Sequence, residues 1–127
     1  MANRSSPTLA GMSAPVGPYT PIVRAGDFLV VSGQLGLGES GLVVGGVAGQ
    51  LRQAMTNLSA LLMTAGASLS DVVKTTVFLV DMEQYSTMNE VYCDMFGDHR
   101  PARSAVAVAA LPLGADVEIE AWCYKPE

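Results

Sequence analysis

Eight apolar residues between Val47 and Ala65 recur at helical spacing: Val47, Leu51, Ala54, Met55, Leu58, Leu61, Leu62 and Ala65. A stripe of that width must bury itself against another element, and the neighbouring segments supply one. Phe28 to Gln34 is an apolar run preceded by the turn Ala25-Gly26-Asp27, and Asp71 to Val80 is rich in β-branched residues; both are predicted strands. Tyr19 to Arg24 fits a partner strand across the turn, with Pro21 pointing to an edge position because proline has no ladder N–H. Gly36 to Gly46 holds five glycines and reads as a loop. Gly66 is a natural stop for the first helix. Asp81 can cap a second helix, with Gln84 three residues on as in a capping box. Tyr85, Met88, Tyr92, Met95 and Phe96 form its apolar stripe, Asn89 flanks that stripe one turn from Tyr85, and Gly97 ends it. The last two strands are Arg103–Ala110 and Ala115–Tyr124. The order ββ-α-β-α-ββ predicts an α+β domain, a mixed β-sheet with two helices packed on one face.

The 127 residues suit a single domain, with residues 1–17, rich in small residues, Gly and Pro, as an N-terminal arm. Charged residues make up only 15%, against roughly 25% in ordinary soluble domains. Either another subunit covers part of the surface, or the core is simply rich in alanine and valine. No apolar run approaches the ~20 residues that span a bilayer. Met1 to Pro7 lacks the apolar stretch of a secretory signal, so the expected location is the cytoplasm, with no membrane partner. The net charge is −5, and the seven Lys and Arg residues are scattered without a basic stripe, which argues against nucleic acid. Cys93 and Cys123 lack ligand-like spacing and read as reduced, partly buried thiols. With His99 as the single histidine, placed between Asp98 and Arg100, neither a metal site nor a histidine-based triad is expected.

The last two strands can be aligned as a hairpin across Leu111-Pro112-Leu113-Gly114. Pairing Ala110 with Ala115 sets Ala105 opposite Glu120 and Arg103 opposite Trp122, and opposed residues share a face. One face then carries Ser104, Val106, Val108 and Ala110 with Val117, Ile119, Ala121 and Cys123, a core face for the helices. The other carries Arg103, Ala105, Ala107 and Ala109 with Asp116, Glu118, Glu120 and Trp122. Alanines leave room there, and three carboxylates and a guanidinium point into it. Two readings stay open: a solvated outer face with a loose ion pair worth ~0–1 kcal/mol, or a cleft in which Arg103 grips an anion bidentately while Glu120 hydrogen-bonds an amine or a water.

Seven short segments, in order, now form a pattern: Gly17-Pro18-Tyr19, Val31-Ser32-Gly33-Gln34, Asn57-Leu58, Asp71-Val72-Val73-Lys74, Asn89-Glu90-Val91-Tyr92, Pro101-Ala102-Arg103-Ser104 and Val117-Glu118-Ile119-Glu120. Each is weak alone. As an ordered set from about Pro15 to Ala121 they resemble the Rid family, also called the YjgF family. The resemblance implies a homotrimer of chorismate-mutase-like domains with three ligand clefts between subunits. It implies hydrolysis of the imines and enamines released by pyridoxal-phosphate enzymes, with no cofactor of its own. It assigns carboxylate binding to Arg103, orientation of water or of the imino nitrogen to Glu120, and the cleft lining to Tyr19, Ser32 and Asn89. Two departures stand out. Ala105 occupies the position where many members carry cysteine, leaving only its backbone carbonyl as an acceptor. Thr20-Pro21 follows the tyrosine in place of Ser-Gln. Structural alternatives exist for three of these residues: Tyr19 packing a strand edge, Ser32 serving a turn, Asn89 binding a loop backbone.

Two functions follow. One is a hydrolytic deaminase that converts 2-imino or enamine acids to 2-keto acids and ammonia, Arg103 supplying orientation and Glu120 positioning water and passing protons. The other is a non-catalytic protein that binds or senses small carboxylates such as 2-keto acids in the same cleft.

Overall fold

A computed structural model of the chain describes residues 4–5 and 17–127. Apart from Arg4, Ser5 and Gly17, the predicted arm lies outside the described residues. The strands are β1 (Arg4–Ser5), β2 (Ile22–Ala25), β3 (Phe28–Leu35), β4 (Leu37–Gly38), β5 (Gly41–Leu42), β6 (Val72–Leu79), β7 (Ala102–Ala107) and β8 (Val117–Tyr124); the helices are α1 (Gly46–Thr64) and α2 (Tyr85–Phe96). Six strands form one mixed sheet in the order β1-β2-β3-β8-β6-β7, with β4 and β5 a separate small hairpin inside the glycine-rich loop. The fold is α+β, as predicted.

α1 forms where the stripe demands it. Val47, Leu51, Ala54, Met55, Leu58, Leu61 and Leu62 are all buried, and they pack on β3 and β8 and against α2. Each of these side chains larger than alanine contributes roughly 1.5–3 kcal/mol of burial. The chain leaves the helix through Gly66, whose φ of 76° suits a residue without Cβ. α2 follows a short 3-10 turn, Met82–Gln84, where the Asp81 carboxylate accepts the Glu83 N–H. The capping-box geometry expected of Asp81 and Gln84 occurs instead between Ser68 and Asp71. Met88, Val91, Tyr92 and Phe96 bury the inner face of α2, while Tyr85 stays exposed. No helix among the described residues is long and apolar enough to cross a membrane.

The predicted terminal hairpin does not form. β7 pairs in parallel with β6, Thr75 opposite Arg103 and Val77 opposite Ala105. β8 instead lies between β3 and β6, antiparallel to both. The physical reason is burial. Val117, Ile119, Ala121 and Cys123 are all 0% exposed, which suits a central strand, whereas β7 has mostly small or polar residues and tolerates an edge. α2 returns the chain to β7 as the crossover of a parallel β-α-β unit. The Val108 N–H donates to the Leu79 carbonyl and the Val80 N–H to the Asp116 carbonyl, which ties the connection down. Pro21 also departs from its expected edge: it precedes β2, and its carbonyl accepts the Ser32 N–H at 2.8 Å.

Candidate active site

In the parallel register, Arg103 and Ala105 share the helix-covered face with Thr75 and Val77. There α2 presents Tyr85, Met88, Asn89 and Tyr92 at helical spacing, and the Arg103 side chain lies among them. Its Nη1 donates to Asn89 Oδ1 at 2.8 Å and to Met88 Sδ at 3.5 Å, and its Nη2 donates to the Tyr85 hydroxyl at 2.9 Å. The guanidinium carbon sits 4.9 Å from the centre of the Tyr92 ring and 5.5 Å from that of Tyr85, the range of a cation–π contact. Tyr92 is fixed in turn by a buried 2.7 Å hydrogen bond with Thr75, and burial raises its phenol above the ordinary value. Every partner of Arg103 is neutral, and among the described residues it makes no ion pair. Among the described residues three of its five N–H donors are engaged; the other two, Nε–H among them, have no partner there and are open to an anion.

Glu118 and Glu120 stand on the opposite, open face. Glu120 pairs across the sheet with Thr76, and Glu118 with Phe78. On the other side the β3 register slips between Val31 and Gln34, so that Ser32 and Gly33 together oppose Glu120, the two-against-one pattern of a bulge. Gly33 lets the carboxylate lie close against β3: a Cβ at this position would lie 2.7 Å from Cδ of Glu118. Burial, and secondarily the charge of Glu120, raises the Glu118 carboxyl above the ordinary carboxylate value. The Ser32 hydroxyl donates to the Thr20 carbonyl at 2.7 Å and so pins the segment after the exposed Tyr19.

The structure therefore gathers the candidate residues into two groups. Asn89, Arg103 and Ala105 belong to one, Ser32 and Glu120 to the other, and Tyr19 precedes the Thr20 carbonyl that the Ser32 hydroxyl binds. Arg103 and Glu120 do not share a face, contrary to the hairpin alignment. β6 separates their strands, two steps of ~4.8 Å or roughly 10 Å, with the sheet itself between the side chains. Sequence reasoning missed Tyr85 and Tyr92 as partners of Arg103 by assigning both to a buried stripe; the polar Asn89 beside them was the available signal. It also placed Glu118 on one face with Glu120 but gave it no role. His99 anchors a loop, with Nε2 2.6 Å from the Val72 carbonyl. Cys123 is buried as expected, but Cys93 is exposed rather than partly buried, and both are free thiols.

The open face continues from the carboxylates into Phe28, Trp122 and Tyr124, exposed by 39%, 44% and 47% and stacked edge-on about Phe28, with Val106 on β7 also exposed. These side chains leave an apolar patch on the open face of the sheet.

A family model described as Endoribonuclease L-PSP matches residues 11–125. The chain is 46% identical over 115 residues to a RutC family protein of Pyrococcus horikoshii, covering 87% of this chain and 90% of that one. It is 47% identical over 110 residues to the 2-iminobutanoate/2-iminopropanoate deaminase of Mus musculus, covering 85% of this chain and 82% of the relative. Among solved structures, E. coli TdcF with bound serine matches with a TM-score of 0.87 at 33% identity, covering 95% of this chain and 98% of that one.

Proposed function

Because the chain belongs to the Endoribonuclease L-PSP family, the YjgF/Rid family of the motifs above, we propose that it is a hydrolytic deaminase converting 2-imino and enamine acids to 2-keto acids and ammonia. The observation that carries this reading is the Arg103 guanidinium, buttressed by Asn89, Tyr85 and Tyr92 with two N–H donors unspent among the described residues. A planar fork held by neutral partners suits a substrate carboxylate. The related TdcF of E. coli is known with bound serine, a small molecule that carries the kind of carboxylate this reading assigns to Arg103.

The chemistry needs a water oxygen to add to the C=N carbon while a proton reaches the nitrogen. The C–N bond then breaks, ammonia leaves, and the hydroxyl proton is given up as the keto group forms. Glu120 orients the water or the imino nitrogen. Glu118, its carboxyl raised by burial, carries the proton, since a base held nearer the working pH exchanges more readily. The Ala105 backbone carbonyl, on the edge strand, is a further acceptor, and Tyr19 and Ser32 line the carboxylate side.

One chain keeps the Arg103 group and the carboxylate group on opposite faces, so the reading requires a second copy. We place the cleft between subunits of a homotrimer, with the exposed Phe28, Trp122 and Tyr124 face buried in assembly. Light scattering should return three times the 13.2 kDa chain mass. The assay is keto-acid formation at a fixed amount of serine or threonine dehydratase, which releases the enamine. Arg103→Ala should abolish the acceleration with the trimer intact, a loss on the order of 2–5 kcal/mol. Arg103→Lys should recover little. A wild-type protein that binds 2-keto acids without accelerating their formation is instead a carboxylate-binding protein. Full activity in Arg103→Ala would refute the site.

A further inference from the structure

We propose that Tyr85 is the positioning residue that gives the site its preference for a carboxylate, acting through Arg103; the proposal rests on the deaminase reading above. A guanidinium binds a carboxylate with two N–H groups only when its plane is set, and the Cδ–Nε torsion otherwise lets the plane swing. Asn89 holds one end of the plane through Nη1 and Tyr85 the other through Nη2. The two phenols next to Arg103 divide the work. Tyr92 is 3% exposed and its hydroxyl is taken by Thr75, so its ring serves as a floor under the cation. Tyr85 is 41% exposed at the first position of α2, and among the described residues its hydroxyl contacts only Arg103. No other described residue uses that hydroxyl. Its one visible effect is to orient the guanidinium so that the remaining edge, with Nε–H, is presented to a ligand.

Tyr85→Phe removes this bond and keeps the ring, the cation–π contact and the helix. Restoring swing to one long side chain costs roughly three- to tenfold in binding. The test compares wild type and Tyr85→Phe in three measurements: calorimetric binding of pyruvate, binding of the uncharged pyruvamide, and dehydratase-coupled turnover. Pyruvate affinity should fall and KM rise by that factor, with kcat within about twofold and pyruvamide binding unchanged. An equal loss for both ligands would mean that Tyr85 merely shapes the cleft, and unchanged pyruvate affinity would mean that it does nothing there; either result overturns the proposal. Failure of the wild type itself to bind pyruvate would overturn the carboxylate site as well, and with it the role of Tyr85.

Discussion

Gly33→Ala should separate catalysis from folding. The new methyl would stand 2.7 Å from Cδ of Glu118 and nearer still to its Oε2, whereas carbon contacts settle at about 3.5–4.0 Å. The carboxylate must retreat by about an ångström. Because it is the end of a flexible, partly buried side chain, the retreat costs little stability, and replacing a strand glycine returns roughly 0.5–1 kcal/mol. The urea midpoint should therefore hold or rise. Catalysis has no such latitude: a displacement of about 1 Å costs on the order of a hundredfold, or ~2.7 kcal/mol of transition-state stabilisation. In the dehydratase-coupled assay, kcat should fall by about that factor while pyruvate binding, which rests on the Arg103 guanidinium, is kept. Glu118→Gln alone should be similarly slow, and Gly33→Ala added to it should cost nothing more, since both act on one group. Wild-type turnover in Gly33→Ala, or full additivity in the double variant, would refute a role for the Glu118 carboxylate.

Trp122→Glu adds a charge to the apolar open face; it should dissociate the assembly by light scattering and remove activity while leaving the circular dichroism of the chain intact. Glu118→Gln should also change stability with pH. The fold favours the protonated Glu118, so as pH rises from the ordinary carboxylate value of 4.5 toward the raised one, the unfolded chain loses its proton first and wild-type stability falls; urea midpoints of the glutamine variant should lack that decline. Of the two thiols, exposed Cys93 should alkylate in the native protein, while Cys123, buried and raised to about 12, should react only after unfolding. A Cys93→Ser, Cys123→Ala variant should keep the wild-type rate.

Elements whose pattern is internal to one segment were legible in the sequence. The apolar stripe at 47–65 became a helix at Gly46–Thr64, and the β-branched run at 71–80 became a strand at Val72–Leu79. Strand partnership was not, because it is settled by long-range burial. Adjacency in sequence suggested that β7 and β8 pair, but four fully buried residues on β8 outcompete β7 for the centre of the sheet. That single difference turned Arg103 to the helix side and decided its partners. Its bonds to Asn89 and Tyr85 span 14 and 18 residues and depend on α2 crossing back to β7. The inward set on β8 was read correctly, so both carboxylates were correctly placed together; what alternation could not reveal is the bulge at Ser32-Gly33 that makes room for Glu118.

The separation of Arg103 from Glu118 and Glu120 by the thickness of a sheet has a genetic consequence. If each cleft takes its guanidinium from one chain and its carboxylates from the next, a lesion in either group spoils only half of what a chain contributes. Chains carrying Arg103→Ala and chains carrying Glu118→Gln, each crippled alone, would complement one another when co-expressed, because every mixed ring contains one boundary where an intact guanidinium meets an intact pair of acids. Two alleles damaged in the same group would never do so.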